Sequence, residues 1–224
     1  MENKNLNHFV VDDHPMNTDA YINLIQSTNP DFTFTFNKAT DCFTSYKTLV
    51  QAKNTNTPID IALIDINIPE YREEKLMSGT DIAFLIRNWF PNCIIIMLTM
   101  HTEPLLLFDT YKKINPEGFI SKNDIDFEMF PEIYSKIVNS ENYISPSILN
   151  NLQKTMQDEF QWDEIDVQIV LLLNKGIPTK ELPNFIAYSL STIEKRKALL
   201  KEILLDKKGT DAALIEKCKT LQLI

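Results

Sequence analysis

The chain has 224 residues, 44% hydrophobic and 24% charged, the composition of an ordinary globular protein of one large or two small domains. Its four glycines, Gly79, Gly118, Gly176 and Gly209, stand too far apart to write G-x-G-x-x-G or G-x-x-x-x-G-K-[ST], which excludes the glycine-loop phosphate binders. A net charge of −9 excludes a chain that coats nucleic acid with its whole surface, but not a local basic patch.

From residue 6 to about 138, short apolar runs alternate with amphipathic segments. Strands are predicted at Asn7–Val11, Phe32–Phe36, Ile59–Ile64, Ile94–Leu98 and Gly118–Ile120. The run Ile59–Ile64 is almost continuously apolar, as in a strand covered on both faces, whereas Phe32–Phe36 alternates and reads as an edge strand. Helical spacing links Ile22 with Ile25, Tyr46 with Leu49 and Val50, and Ile82 with Leu85, Ile86 and Trp89. It also joins Phe130, Ile133, Tyr134, Ile137 and Val138 into one stripe. Strand and helix in alternation predict a doubly wound, five-stranded parallel sheet with helices on both faces. Ligands of such sheets bind beyond the carboxyl ends of the strands.

Residues 139–160 are largely polar and read as a linker with one short helix. Residues 161–224 are all helix by pattern, which predicts a small all-α domain. One stripe runs through Ile165, Ile169, Leu172 and Leu173 to a cap at Lys175-Gly176, and helices follow at Ser191–Leu205 and Asp211–Leu221. Cys42, Cys93 and Cys218 are odd in number and form no C-x-x-C pair. A reducing cytoplasm is therefore expected, with no zinc or iron site. The opening Met1-Glu2-Asn3-Lys4-Asn5 lacks an apolar signal core, and Cys93–Leu98 is too short to span a bilayer, so no membrane association is expected.

Chemistry gathers at the strand ends. Strand one ends in Asp12-Asp13, strand three in Asp65-Ile66-Asn67, strand four in Thr99 and strand five in Ser121-Lys122. If strands one and three are neighbours, three carboxylates meet at one sheet edge. Such a cluster is unfavourable without a cation, and its hard oxygens suit Mg²⁺. An acid cluster, a nucleophilic carboxylate, a hydroxyl and an ammonium are the parts needed to form an acyl phosphate.

With these residues the segments Val10-Val11-Asp12-Asp13-His14-Pro15, Leu63–Pro69, Met97–Met100 and Gly118–Lys122 resemble the flavodoxin-like receiver domain of two-component response regulators over about residues 6–138, which sets a receiver domain at 1–138. The resemblance implies Asp65 as phosphoacceptor. It places Mg²⁺ on Asp12, Asp13, Asp65 and the Asn67 backbone carbonyl, and the phosphoryl group beside Thr99 and Lys122. Phe119 matches the aromatic position that repacks with Thr99. His14 and His101 flank this site and read as solvated loop histidines. Residues 70–78 form a longer loop than that family usually has, read either as a surface insertion or as a partial lid altering phosphate lifetime.

Residues 161–224, through Thr179–Leu182 and Ser189–Lys197, resemble the helix-turn-helix of LuxR/NarL-type regulators, in a variant similar to that of Bacteroidetes-type bacteria. Lys195, Arg196, Lys197 and Lys201, with the small Ala198, are expected to meet DNA. Two departures stand out. Glu194 takes a place where the family commonly has a lysine; it repels phosphate but suits cytosine N4. Pro183 falls within the second helix. The last helix, with Leu214, Ile215 and Cys218, is the family's usual dimerisation element, though a core role explains the same stripe.

The expectation is a non-enzymatic response regulator. It takes a phosphoryl group from a sensor histidine kinase and controls transcription as a DNA-binding homodimer. Two alternatives remain: a receiver joined to a degenerate helix-turn-helix that binds protein, and an aspartyl-phosphate phosphatase. The latter class wants an aspartate where Asn67 stands. Charge divides with the domains: residues 1–159 hold 22 acidic and 12 basic side chains, whereas residues 160–224 hold 9 and 10.

Overall fold

The structure, a computed structural model, describes residues 5–28, 33–158, 161–205 and 209–224. Phe32 and Glu159, which the sequence assigns to strand two and to the linker, lie outside these.

Strands β1 (Asn5–Val11), β2 (Thr33–Ala39), β3 (Ile61–Asp65), β4 (Ile94–Thr99), β5 (Gly118–Ser121) and β6 (Tyr143–Ile144) form one parallel sheet in the order β2-β1-β3-β4-β5-β6. β2 takes the edge, as its alternation predicts. The predicted sheet of five gains a sixth strand, because the segment read as linker turns back along β5, pairing Gly118 with Tyr143 and Phe119 with Ile144. With two residues and no long apolar run, β6 carries too little periodicity to be seen in sequence.

Period-2 alternation sends successive side chains to opposite faces. Leu6, Val10, Ile61, Leu63, Ile96, Leu98 and Ile120 share one buried cluster with Tyr21, Ile22 and Ile25 of α1 (Pro15–Thr28) and with Phe130, Ile133, Tyr134 and Ile137 of α5 (Phe130–Val138). By the same alternation Val11, Ala62, Ile64, Ile95, Met97 and Phe119 point to the other face, where α2 (Cys42–Asn54) and α3 (Gly79–Trp89) pack on each other. Asp41 caps α2 through the Thr44 amide, and Ser78 caps α3.

The chain divides into two compact units, one made of Met1–Thr102 with Ile114–Ile148, the other of Glu103–Lys113 with Leu149–Ile224. This grouping differs from the predicted boundaries of 1–138 and 161–224 in two places. Within the second unit, α6 (Pro146–Asp158), mostly in the presumed linker, buries Leu152 and Met156. So too α4 (Pro104–Ile114), which follows β4 in the chain, is grouped with that unit as far as Lys113. The Lys217 ammonium lies 3.7 Å from the Tyr111 ring centroid, and Lys112 donates to the Glu202 carbonyl at 2.8 Å.

The rest of that unit is α7 (Glu164–Asn174), a 3₁₀ turn at Thr179–Asn184, α8 (Leu190–Leu204) and α9 (Asp211–Thr220), around Ile169, Leu173, Leu182, Ile186 and Ile193. Asp163 and Asp166 make a capping box at the start of α7, and Gly176, at φ +79°, follows its end in the left-handed region, as its place in the sequence predicts. The second helix is the 3₁₀ turn, with Pro183 inside it. Proline lacks the N–H an α-helix would use and crowds the preceding turn. On α9, Leu214 and Cys218 are fully buried in their own unit. The core role that the sequence allows for this stripe is the one these two side chains fill.

Candidate functional site

Parallel register brings the predicted residues to one edge. Val11 pairs with Ile64, Asp65 with Leu98, and Thr99 with Ser121, so Asp12, Asp65, Thr99 and Lys122 leave the sheet together. Apolar runs hold the strands inside while the first polar residue of each emerges at its carboxyl end. Asp12 is fully buried, Asp65 nearly so, and Asp13 is half-buried.

Lys122 binds this edge together. Its ammonium lies 2.7 Å from Asp12 Oδ2 and 2.5 Å from Asp65 Oδ2. Burial holds the Asp65 carboxyl above its ordinary range, against the pull of Lys122 and of the Asn67 amide that donates to Oδ1 at 3.1 Å. For Lys122, burial acts to lower the pKa, but the hydrogen bonds to Asp12 and Asp65 outweigh it and the ammonium is held charged. Asp12 Oδ1 accepts from the His14 amide at 2.9 Å, and Asn17 Nδ2 lies 3.3 Å from both Asp12 oxygens. Thr99 is buried, and its hydroxyl accepts from the His101 amide at 2.9 Å. Phe119, also fully buried, shares the Thr99 face of the sheet by alternation.

A pocket of about 680 Å³ opens over the edge, lined by Asp13, Asp65, Asn67 and Lys122 on its polar side and by Tyr21 and Phe130 among its apolar residues. His14 and His101 both reach it, and His14 Nδ1 sits 2.6 Å from Asp13 Oδ1. Asp12, Asp13 and His14 can bring one ligand atom each within 4.8 Å of one another. The donors fit a hard divalent cation: carboxylate oxygens from Asp12, Asp13 and Asp65 outnumber the one ammonium among them.

Three contributors escape sequence reasoning. Asn17 orients Asp12 from the first turn of α1; its signal is a polar residue on the strand-side start of a helix. Ser145, buried just after β6, accepts the Ser121 amide at 2.8 Å and so fixes the end of β5 beside Lys122. Gly79 donates its amide to the Ile66 carbonyl at 2.9 Å, and a Cβ there would stand 1.9 Å from the Asp65 carbonyl oxygen. A glycine opening the helix after the loop that follows β3 is a readable sign of such close approach.

The 70–78 loop does not line this pocket. Tyr71 and Leu76 pair as an antiparallel bridge, and Tyr71 packs edge-on against Phe43 at 5.1 Å and near Tyr46 at 6.1 Å, both on α2. This packing on α2 fits the surface-insertion reading.

The predicted DNA contacts divide. Arg196 grips the start of α7, at 2.8 Å from Asp163 Oδ1, 2.7 Å from Asp163 Oδ2 and 2.8 Å from Asp166 Oδ1. Lys197 reaches Thr179 Oγ1 at 2.6 Å and Asp211 Oδ2 at 3.1 Å, and Lys201 reaches Asp211 Oδ1 at 2.7 Å. Lys195 is exposed on the outer face of α8. Helical spacing placed all four on one helix, but not the distant carboxylates that take three of them.

Comparison with known proteins agrees with this geometry. Residues 9–131 match the response regulator receiver domain, and the chain belongs to that family. Among solved structures it is similar to RcsB from Salmonella enterica serovar Typhimurium bound to promoter P1flhDC with the phosphomimetic BeF3⁻, at 18% identity and TM-score 0.56 over 97% of this chain and all of that one. A structure of two RcsB dimers on two parallel DNAs aligns at 18% identity and TM-score 0.55, covering 97% and 99%. A LuxR-family two-component response regulator from Aurantimonas sp. SI85-9A1 aligns at 20% identity and TM-score 0.54 over 69% of this chain and all of that one. No curated protein matches the chain by sequence. Among the described residues no helix is long and apolar enough to cross a membrane.

Proposed function

We propose that this chain is a cytoplasmic response regulator that accepts a phosphoryl group on Asp65 from a sensor histidine kinase and thereby controls transcription through its C-terminal helix-turn-helix. The observation that carries the reading is the Lys122 ammonium bridging Asp12 and Asp65 at the carboxyl edge of a parallel sheet. A carboxylate oxygen of Asp65 attacks phosphorus, the P–N bond to the donor imidazole breaks, and its electron pair stays on nitrogen. Lys122 and the Thr99 hydroxyl then bind phosphoryl oxygens. Asp12, Asp13, Asp65 and the Asn67 carbonyl would hold Mg²⁺, which when bound supplies neutralisation of phosphoryl charge. The protein takes up about one phosphoryl group per chain and is not an enzyme. Phosphorylation favours one receiver conformation by differential binding energy, and a homodimer meets paired half-sites.

The test is a genome-wide DNA pull-down with the purified full-length protein, with and without beryllofluoride. Discrete fragments enriched in one state support the reading. Enrichment of none in either state overturns it in favour of a protein-interaction module.

A further inference from the structure

The outer face of α8 is depleted of the cations that a DNA-reading helix usually presents. Its buried side is Ile193, Leu200, Ile203 and Leu204, and its exposed positions are Leu190, Ser191, Glu194, Lys195, Ala198, Leu199 and Glu202. Two carboxylates and one ammonium leave that face at −1. The other three cations of the helix are spent within the unit: Arg196 on Asp163 and Asp166, Lys197 and Lys201 on Asp211. Side chains so engaged release few counterions on meeting phosphate.

A face of this composition gains little from the backbone of a duplex. What it can do is read base edges. Glu194 lies one turn into α8, in the portion of a recognition helix that approaches the floor of the major groove. A carboxylate only accepts hydrogen bonds, and cytosine N4 is the donor that acidic side chains read there. Lys195, the next residue, is the exposed ammonium of the helix and can meet a phosphate.

Resting on the DNA-binding reading above, we infer that Glu194 is the specificity-determining residue of α8, accepting from the N4 amino group of a cytosine. Arg196, Lys197 and Lys201 hold the helix-turn-helix together and do not bind phosphate. Glu194 thus raises selectivity at the expense of affinity, since its charge repels every duplex and is matched only where the amino group is displayed.

The experiment is selection from randomised duplexes by the beryllofluoride-treated full-length protein and its Glu194→Ala, Glu194→Gln, Lys195→Ala and Lys197→Ala variants. Affinity for the winning duplex is then measured against salt. Glu194→Ala is expected to lose one cytosine from the motif, with discrimination there falling roughly tenfold, while binding to unrelated duplexes tightens. Glu194→Gln is expected to move that position toward adenine. Lys195→Ala is expected to lower the salt slope by about one per bound protomer, whereas Lys197→Ala leaves the slope in place and lowers the melting temperature. The inference is overturned if Glu194→Ala selects the unchanged motif, or if Lys197→Ala lowers the slope as Lys195→Ala does. Selection of no motif by the unsubstituted protein overturns the DNA-binding reading itself, a distinguishable result.

Discussion

At the scale of single residues, the site is an electrostatic compromise whose cost is measurable. Asp65 has its pKa raised by burial, so its ionisation above the ordinary carboxylate range works against the folded state. Asp65→Asn keeps the shape and removes that charge. Its melting temperature without divalent cations should rise by about 2–4 °C, the equivalent of about 1 kcal/mol in a chain of this size, and Mg²⁺ should stabilise it less than the unsubstituted protein; a scanning calorimeter reads both. A second buried group, His8 of β1, titrates in the opposite sense. Its Nδ1 faces the Leu6 carbonyl at 3.1 Å and therefore donates, leaving Nε2 to accept from the Tyr134 hydroxyl at 2.6 Å. Burial depresses its pKa to about 4. The stability it contributes is complete above the ordinary value of 6.5 and falls as pH drops from there toward 4, by up to about 3 kcal/mol. An NMR titration should find the imidazole neutral at pH 5.5, and a protonated ring there would contradict this. Asp12, Asp65, Thr99 and Lys122 were legible in the sequence because each breaks an apolar run at a strand end. The partners of Arg196, Lys197 and Lys201 were not. Helical periodicity tells which side of a helix a residue occupies, but not which distant carboxylate meets it.

Elements show where local pattern suffices and where it fails. The five predicted strands exist because β-branched runs bounded by polar residues admit few other readings. β6 was missed for want of length, and the 3₁₀ turn at Thr179–Asn184 because Pro183 signals a break without naming its form. The entry into α3 carries a sharper consequence. Gly79 lets the helix start against the Asp65 backbone, and a methyl group there meets the Asp65 carbonyl oxygen at 1.9 Å and Ile64 Cγ2 at 2.9 Å. Gly79→Ala should cost about 3 kcal/mol or more and displace Asp65. Urea unfolding and the extent of phosphorylation should both record it, and a variant that unfolds and labels normally would sink the argument. By contrast, the loop at 70–78 lies on α2 through Tyr71, Phe43 and Tyr46. Shortening it between Tyr71 and Leu76 should leave the dephosphorylation rate of Asp65 within about twofold of the full-length chain. A larger change would favour the lid.

For the molecule as a whole, charge follows chemistry. The −10 balance of residues 1–159 belongs to the part that gathers carboxylates around Lys122, and the +1 of residues 160–224 to the part with few cations to spare. Two units were legible in the change from alternating strands and helices to helices alone. The place of α4 was not, because it follows β4 in the chain yet meets the second unit through Tyr111, beside Lys217, and Lys112, on the Glu202 carbonyl. No sequence period reports a partner ninety or more residues away. The proposed function depends on Asp65 being the residue that is phosphorylated. The most direct measurement incubates the full-length protein with Mg²⁺ and a small-molecule phosphodonor, traps the acyl phosphate with borohydride and locates it by peptide mass spectrometry. The expected result is a single modified residue, Asp65, in up to one phosphoryl group per chain, and none in Asp65→Asn. Label retained in that variant, or found first at another residue of the unsubstituted chain, would contradict the account.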